Sequence, residues 1–115
     1  MRQHTSDGYW TAMLRGGLSK VFLLQALREG PGHGYALARR VEIISRQFCT
    51  PSQAAIYPAL REFEQDDCVR HHMEATGRRR RKVYTLTPRG RQALRAAVSA
   101  YEDGLIVIRR VVERV

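Results

Sequence analysis

Little in this sequence suits covalent, redox or membrane chemistry. Two cysteines, Cys49 and Cys68, occur in 115 residues. That is too few for a disulfide framework, and a reducing compartment is expected. No apolar run approaches the roughly 18 residues that would span a membrane. The stretch Met1 to Gly8 lacks the apolar block of a signal peptide, so a cytoplasmic protein with no membrane partner is expected. There is no Ser-His-Asp grouping and no carboxylate pair in an apolar setting. Gly30-Pro31-Gly32-His33-Gly34 is rich in glycine but lacks the spacing and the lysine of a phosphate-binding loop. An enzyme is not expected, nor is a cofactor.

Acidic residues are also scarce, with 11 Asp and Glu against 20 Lys and Arg, for a formal charge of +9. Hydrophobic residues at 43% and charged residues at 27% are ordinary for a globular chain, which argues against wholesale disorder. The length suits one domain with a modest core. Between Arg70 and Arg91 stand eight basic residues and one acid, Glu74, so this stretch carries +7 and the rest of the chain +2. A charge this local points to a polyanionic partner, with nucleic acid ahead of an anionic membrane.

Residues 1–10 read as a lead-in. From Thr11 to Glu29, Leu14, Leu18, Val21, Phe22, Leu24 and Leu27 recur at helical spacing, and Gly30-Pro31-Gly32 stops the helix with a left-handed glycine cap. A second helix is expected from His33 or Gly34 to Arg46, burying Leu37, Val41, Ile44 and Phe48. Tyr35 reads as a core residue and Gly34 as a point of close helix packing. The third helix is expected to start with Thr50 as its cap, Pro51 as its first residue and Gln53 reaching back. Its apolar stripe is Ile56, Leu60 and Phe63, with a disturbance at Pro58.

After Asp67 the period changes from 3.6 to 2. Val69, His71 and Met73 alternate with Arg70, His72 and Glu74, Thr76-Gly77 supplies a turn, and Lys82 to Leu86 forms the returning strand. The run Arg78 to Lys82 then lies at the hairpin tip and its exit. Thr87-Pro88 opens a last helix whose seam Leu94, Val98, Tyr101, Leu105, Ile108, Val112 and Val115 is spaced four and three to the final residue. A second copy of the chain would cover it.

Three helices, a hairpin and a long helix, mostly α in an α+β class, give a winged helix-turn-helix. Residues 11–87 would form the DNA-binding domain and 88–115 a C-terminal dimerisation helix. A capped third helix can enter the major groove of double-stranded DNA, and the hairpin brings cations to the phosphates.

His33-Gly34-Tyr35, Ala55-Ile56-Tyr57-Pro58-Ala59-Leu60 and Tyr84-Thr85-Leu86-Thr87-Pro88-Arg89-Gly90 resemble the PadR family of bacterial transcriptional regulators, as does Leu14-Arg15-Gly16-Gly17-Leu18. The likeness runs from about residue 13 to residue 115, and the single last helix is similar to the family's short subgroup. It implies a homodimer on an inverted-repeat operator, usually a repressor, released by a small aromatic or lipophilic effector. Ser52, Gln53, Ala55, Ile56 and Tyr57 would then face DNA, with the Tyr57 hydroxyl near a phosphate, joined by Arg61, Arg78, Arg79, Arg80, Arg81 and Lys82. Leu94, Val98, Tyr101, Leu105, Ile108 and Val112 would form the dimer seam. Ala54-Ala55 departs from the family's frequent Gly-Thr, and Asp67 occupies a turn position usually given to Gly.

Other readings of the same residues are distinguishable. Tyr9, Trp10, Met13, Phe22 and Tyr101 suit a pocket for a flat apolar effector or ordinary interface packing. Cys68, His71 and His72 do not make a metal site, because strand alternation sends His71 to the opposite face from the other two. A basic architectural or RNA-binding protein without sequence specificity is the alternative function.

Overall fold

The structure, a computed structural model, describes residues 3–115. Its elements are α1 (Asp7–Glu29), α2 (Gly34–Ile44), α3 (Gln53–Gln65), β1 (Val69–Thr76), β2 (Arg79–Leu86) and α4 (Pro88–Val112). This is the winged helix-turn-helix order, and several boundaries differ from the sequence pattern.

Helix α1 begins four residues before Thr11, so Tyr9 and Trp10 are helical rather than lead-in. Asp7 in its first turn complements the positive end of the helix dipole. The Trp10 indole N–H donates to the His4 carbonyl at 2.7 Å, and the His4, Tyr9 and Trp10 rings cluster. The far end stops at Gly30, whose φ of 157° and ψ of 165° lie in the positive-φ range open to glycine but outside the left-handed helical cap. Arg40 closes that end from α2. Its guanidinium donates to the carbonyls of Gly30 at 2.7 Å, Pro31 at 2.9 Å and Ala26 at 3.3 Å, which satisfies acceptors that a helix end leaves open.

Helix α2 buries Leu37, Ala38 and Val41, with Ile44 and Phe48 half-buried. It ends two residues short of Arg46, because Arg46 and Gln47 turn into left-handed geometry at φ 51° and 67°. The buried Ser45 hydroxyl holds this turn, accepting from the Cys49 amide at 3.0 Å and donating to the Cys49 carbonyl at 3.1 Å. Tyr35 is not core: it is 62% exposed in the first turn of α2.

The cap of α3 is Ser52, not Thr50. The Ser52 hydroxyl accepts from the Ala55 amide at 3.3 Å, so Pro51 stays outside and Gln53 becomes the first helical residue. Ile56, Leu60 and Phe63 are buried as their spacing requires. Pro58 continues the helix, and the carbonyl it leaves unpaired belongs to exposed Ala54, where water can reach it.

Strands β1 and β2 pair antiparallel from Val69↔Leu86 out to Thr76↔Arg79. The turn is Gly77-Arg78, with Gly77 at φ 64°, and pairing resumes at once. Of the basic run only Arg78 therefore sits at the tip, while Arg79 to Lys82 are strand residues. On its other edge β2 meets Gly32. The Gly32 amide donates to the Tyr84 carbonyl at 3.1 Å, and the Tyr84 amide returns a bond of 2.9 Å. The core gathers Leu23, Leu24 and Leu27, the buried stripes of α2 and α3, and Val69, Tyr84, Leu86 and Leu94.

A compact knot joins the α3–β1 turn to the start of α4. Asp67 takes the left-handed geometry its place demands, at φ 58°. The Thr87 hydroxyl donates to the Asp67 carbonyl at 2.6 Å and accepts from the Gly90 amide at 3.0 Å, capping α4. A Cβ at Gly90 would collide with the Cys68 carbonyl. Arg89 donates to the Asp66 carboxylate at 2.9 Å and holds that carboxyl below the usual range, through the hydrogen bond first and the charge second.

Beyond Leu94, α4 leaves the core. Every residue from Val98 to Val115 is exposed, which stretches the molecule to 58 × 31 × 24 Å. Leu94 itself is 6% exposed and belongs to the monomer core, so it is removed from the expected dimer seam. Because Thr87 caps α4 and also satisfies the turn before β1, Thr87→Ala is expected to lower unfolding free energy by about 1–2 kcal/mol in urea titrations. A loss below the error of the titration would show that the knot adds nothing.

Candidate nucleic-acid interface

Strand alternation sorts the wing into two faces. Val69, His71, Met73 and Ala75 share one with Arg80, Lys82, Tyr84 and Leu86, while Arg70, His72 and Glu74 share the other with Arg79, Arg81, Val83 and Thr85. The first face is buried only at its inner end, at Val69, Tyr84 and Leu86. Its outer cations, Arg80 and Lys82, continue past the core and stand across from α3.

Between them lies a groove of about 760 Å³. His33 and Tyr35 from the start of α2, Gln53, Tyr57, Arg61 and Glu64 from α3, and Arg80, Arg81, Lys82 and Tyr84 from β2 line it. Arg81 is on the other strand face but reaches round the edge, and its guanidinium donates to His33 Nε2 at 3.4 Å. The basic run is thereby divided. Arg80, Arg81 and Lys82 enter the groove, Arg78 occupies the turn, and Arg79 faces away. Alternation after the two-residue turn puts Arg80 and Lys82 on the groove side and Arg79 on the other, and Arg81 enters only by reaching round the edge to His33.

Among the described residues the only acid lining the groove is Glu64, and it is engaged: His71 Nδ1 lies 2.6 Å from Glu64 Oε2, tying β1 to α3. Behind this pair, burial pushes the Tyr84 phenol up, with the Glu64 carboxylate and Tyr57 adding to the shift. Four cations against one paired carboxylate leave the groove strongly positive.

On α3, Ser52, Gln53, Ala54, Ala55, Tyr57 and Arg61 are exposed. Ile56 is not. At 2% exposure it belongs to the core stripe with Leu60 and Phe63, so its side chain cannot meet a ligand, and it leaves the expected DNA-facing set. The Ser52 hydroxyl already serves as the helix cap. Sequence reasoning did not place His33, Tyr35, Glu64 or Tyr84 in this groove, nor His71 beside Glu64. The His33-Gly34-Tyr35 motif was a signal for two of them, whereas the Glu64–His71 pair joins separate elements and leaves no local pattern.

The other candidate residues sit at the far end of the molecule. Val98, Tyr101, Leu105, Ile108 and Val112 form an exposed row on α4. Tyr101 lies against α1, where a Cβ on Gly17 would collide with its hydroxyl. Tyr9, Trp10 and Met13 occupy neighbouring faces of α1, with Trp10 and Met13 exposed. Phe22 does not join them. It lies thirteen residues past Tyr9, about 220° around the helix, and packs against the core.

Cys49 and Cys68 are free and buried. Burial and the Asp66 carboxylate push the Cys68 thiol up, the opposite of what a reactive thiolate needs. Among the described residues, no three His, Cys, Asp or Glu side chains gather as a metal site, and no helix is long and apolar enough to cross a membrane.

Residues 23–96 match the model of the family described as "Transcriptional regulator PadR-like family". No curated protein sequence matches the chain. Among solved structures, a PadR family transcriptional regulator from Eggerthella lenta is similar, with a TM-score of 0.82, 24% identity, and coverage of 92% of this chain and 91% of that one. A transcriptional regulator from Clostridium thermocellum is similar with a TM-score of 0.74 and 21% identity over 82% of this chain and 89% of that one. Bacillus subtilis PadR, solved in complex with operator DNA, shares 28% identity at a TM-score of 0.62, covering 69% of this chain and 45% of that one. The matched span holds the helix-turn-helix, the wing and the start of α4, and with it the groove. The chain belongs to the PadR-like family of transcriptional regulators.

Proposed function

We propose that this regulator is a homodimeric repressor that binds an inverted-repeat operator in double-stranded DNA and is released by a small aromatic or lipophilic effector. Residues 11–87 are the DNA-binding part and residues 88–115 the dimerising part. The observation that carries the DNA reading is the shared groove, in which the exposed first turns of α3 face the cations of β2. An α-helix fits the major groove, where each base pair presents a distinct edge, and Ser52, Gln53 and Ala55 are the side chains placed to meet it. Tyr57, Arg61, Arg80, Arg81 and Lys82 supply phosphate contacts beside it, and Arg78 and Arg79 extend them along the wing. That the Bacillus subtilis relative was solved in complex with operator DNA supports duplex DNA as the ligand.

The dimer reading rests on α4. Its row from Val98 to Val112 is too apolar and too exposed to be left in water, and the charged residues Glu102, Asp103, Arg109 and Arg110 share the same turns. A symmetric copy supplies a matching row. The effector reading rests on Tyr101, which meets α1 at Gly17, and on Tyr9, Trp10 and Met13 in the turns of α1 before Gly17.

Selection from a randomised duplex pool at near-physiological salt is expected to enrich an inverted repeat, with half-site centres about one helical turn or a small multiple apart. Retention without an enriched motif would instead support the architectural alternative. Replacing Arg79 and Arg80 with Ala is expected to weaken every duplex alike, lowering the salt slope by about one for each phosphate no longer engaged. A loss confined to one sequence would mean that these arginines read bases.

In sedimentation, the wild-type chain is expected to run at twice its own mass, and Leu105→Glu with Ile108→Glu to run as a folded monomer. A wild-type monomer at high concentration would remove the dimer. Titration with planar aromatic compounds is expected to change Trp10 emission, and unchanged emission across the panel counts against this effector site.

A further inference from the structure

Gly34 opens α2, and its backbone does not require glycine. The positive-φ glycines of the described residues are Gly30 and Gly77, and Gly34 is not among them. Glycine is also among the poorest helix formers, so a residue chosen for α2 alone would carry a side chain. The missing Cβ has another use. Built at Gly34, it would stand 2.7 Å from both Tyr57 Cζ and the Tyr57 hydroxyl oxygen, and 2.8 Å from Cε1. Real side-chain carbons essentially never approach within 3.0 Å of a neighbour. The Tyr57 ring of α3 therefore rests on the bare first turn of α2.

It is the hydroxyl end of the ring that meets Gly34. Tyr57 is 41% exposed and lines the groove beside His33, Gln53 and Arg61. A methyl group at Gly34 would push the far end of the ring aside, through its side-chain torsions or a change of rotamer, and the hydroxyl at that end would move with it. A displaced phenol would leave the cations of the groove in place and withdraw only its own hydrogen bond from the duplex.

We propose that Gly34 is a positioning residue for DNA binding: by lacking a Cβ it seats the Tyr57 ring on α2 and holds the phenol hydroxyl in the cationic groove, aimed at the duplex backbone. This rests on reading the groove as the DNA surface. Gly34 need not touch the duplex, and its contribution passes through Tyr57.

The probe is the duplex that the wild-type chain enriches from the randomised pool. Gly34→Ala is expected to weaken binding about tenfold, close to the effect of Tyr57→Ala. The double variant is expected to bind within about twofold of Tyr57→Ala, because the ring displaced by the new methyl group is already absent. The phenol is uncharged, so the slope of affinity against salt is expected to stay at the wild-type value in all three variants. A shallower slope in Gly34→Ala would mean that the arginines have moved, and would overturn the positioning role. Wild-type affinity in Gly34→Ala, or fully additive losses in the double variant, would overturn it as well.

Should Gly34→Ala fail to fold, the melting of the double variant by circular dichroism decides. Recovery to the Tyr57→Ala melting point supports the ring contact, and continued unfolding removes it. A wild-type chain that binds no duplex overturns the groove reading and this inference together. Wild-type binding with Gly34→Ala unaffected overturns this inference alone.

Discussion

The two backbone hydrogen bonds between Gly32 and Tyr84 decide where the wing stands. Without them a two-stranded hairpin is marginal in water and free to swing about its root. With them, β2 is gripped on both edges, by β1 and by the loop that Arg40 clamps to the end of α1. The Tyr84 ring then enters the core, and its hydroxyl comes near Glu64 and Tyr57 on α3. The groove exists because one residue of β2 is tied in turn to the first loop, the core and the third helix. Arg80 and Lys82, two and four residues further out on the same face, inherit their position from it.

The opposite end of the molecule is governed by scarcity. The core covers the first two turns of α4. Leu94 closes it, and the helix then runs on with apolar side chains that the described residues leave largely exposed. α1 meets this helix where Tyr101 lies on Gly17. The chain thus concentrates charge at one end and uncovered apolar surface at the other. That separation suits the proposed use of one end for a polyanion and of the other for a partner copy.

Much of the fold was legible because its signals are local. The 3.6-residue stripes of Leu37 and Val41, and of Ile56, Leu60 and Phe63, each named a buried face correctly. The change to a period of two after Asp67 marked the wing, and Thr87-Pro88 marked α4. The errors were failures of choice between equivalent local signals. Thr50 and Ser52 both precede a plausible helix start, and only the placing of Ala55 makes Ser52 the cap. Tyr35 is as apolar as a core residue, yet it faces the groove because α2 turns Leu37 and Ala38 inward instead. Ile56 shows the same limit. Periodicity puts it in the core stripe and the family resemblance puts it on the DNA face, and burial leaves only the first.

By itself the sequence determined the order of elements, the faces of the helices and the location of the positive charge, since each follows from periodicity, caps and composition within a few residues. Tertiary structure alone decided which cations share a groove with α3, that Glu64 meets His71, and that the Tyr57 ring fills the space left by Gly34. These contacts join elements far apart in the chain, and each depends on the angle at which packed surfaces meet. Local pattern says which side of an element is buried. It does not say what stands opposite.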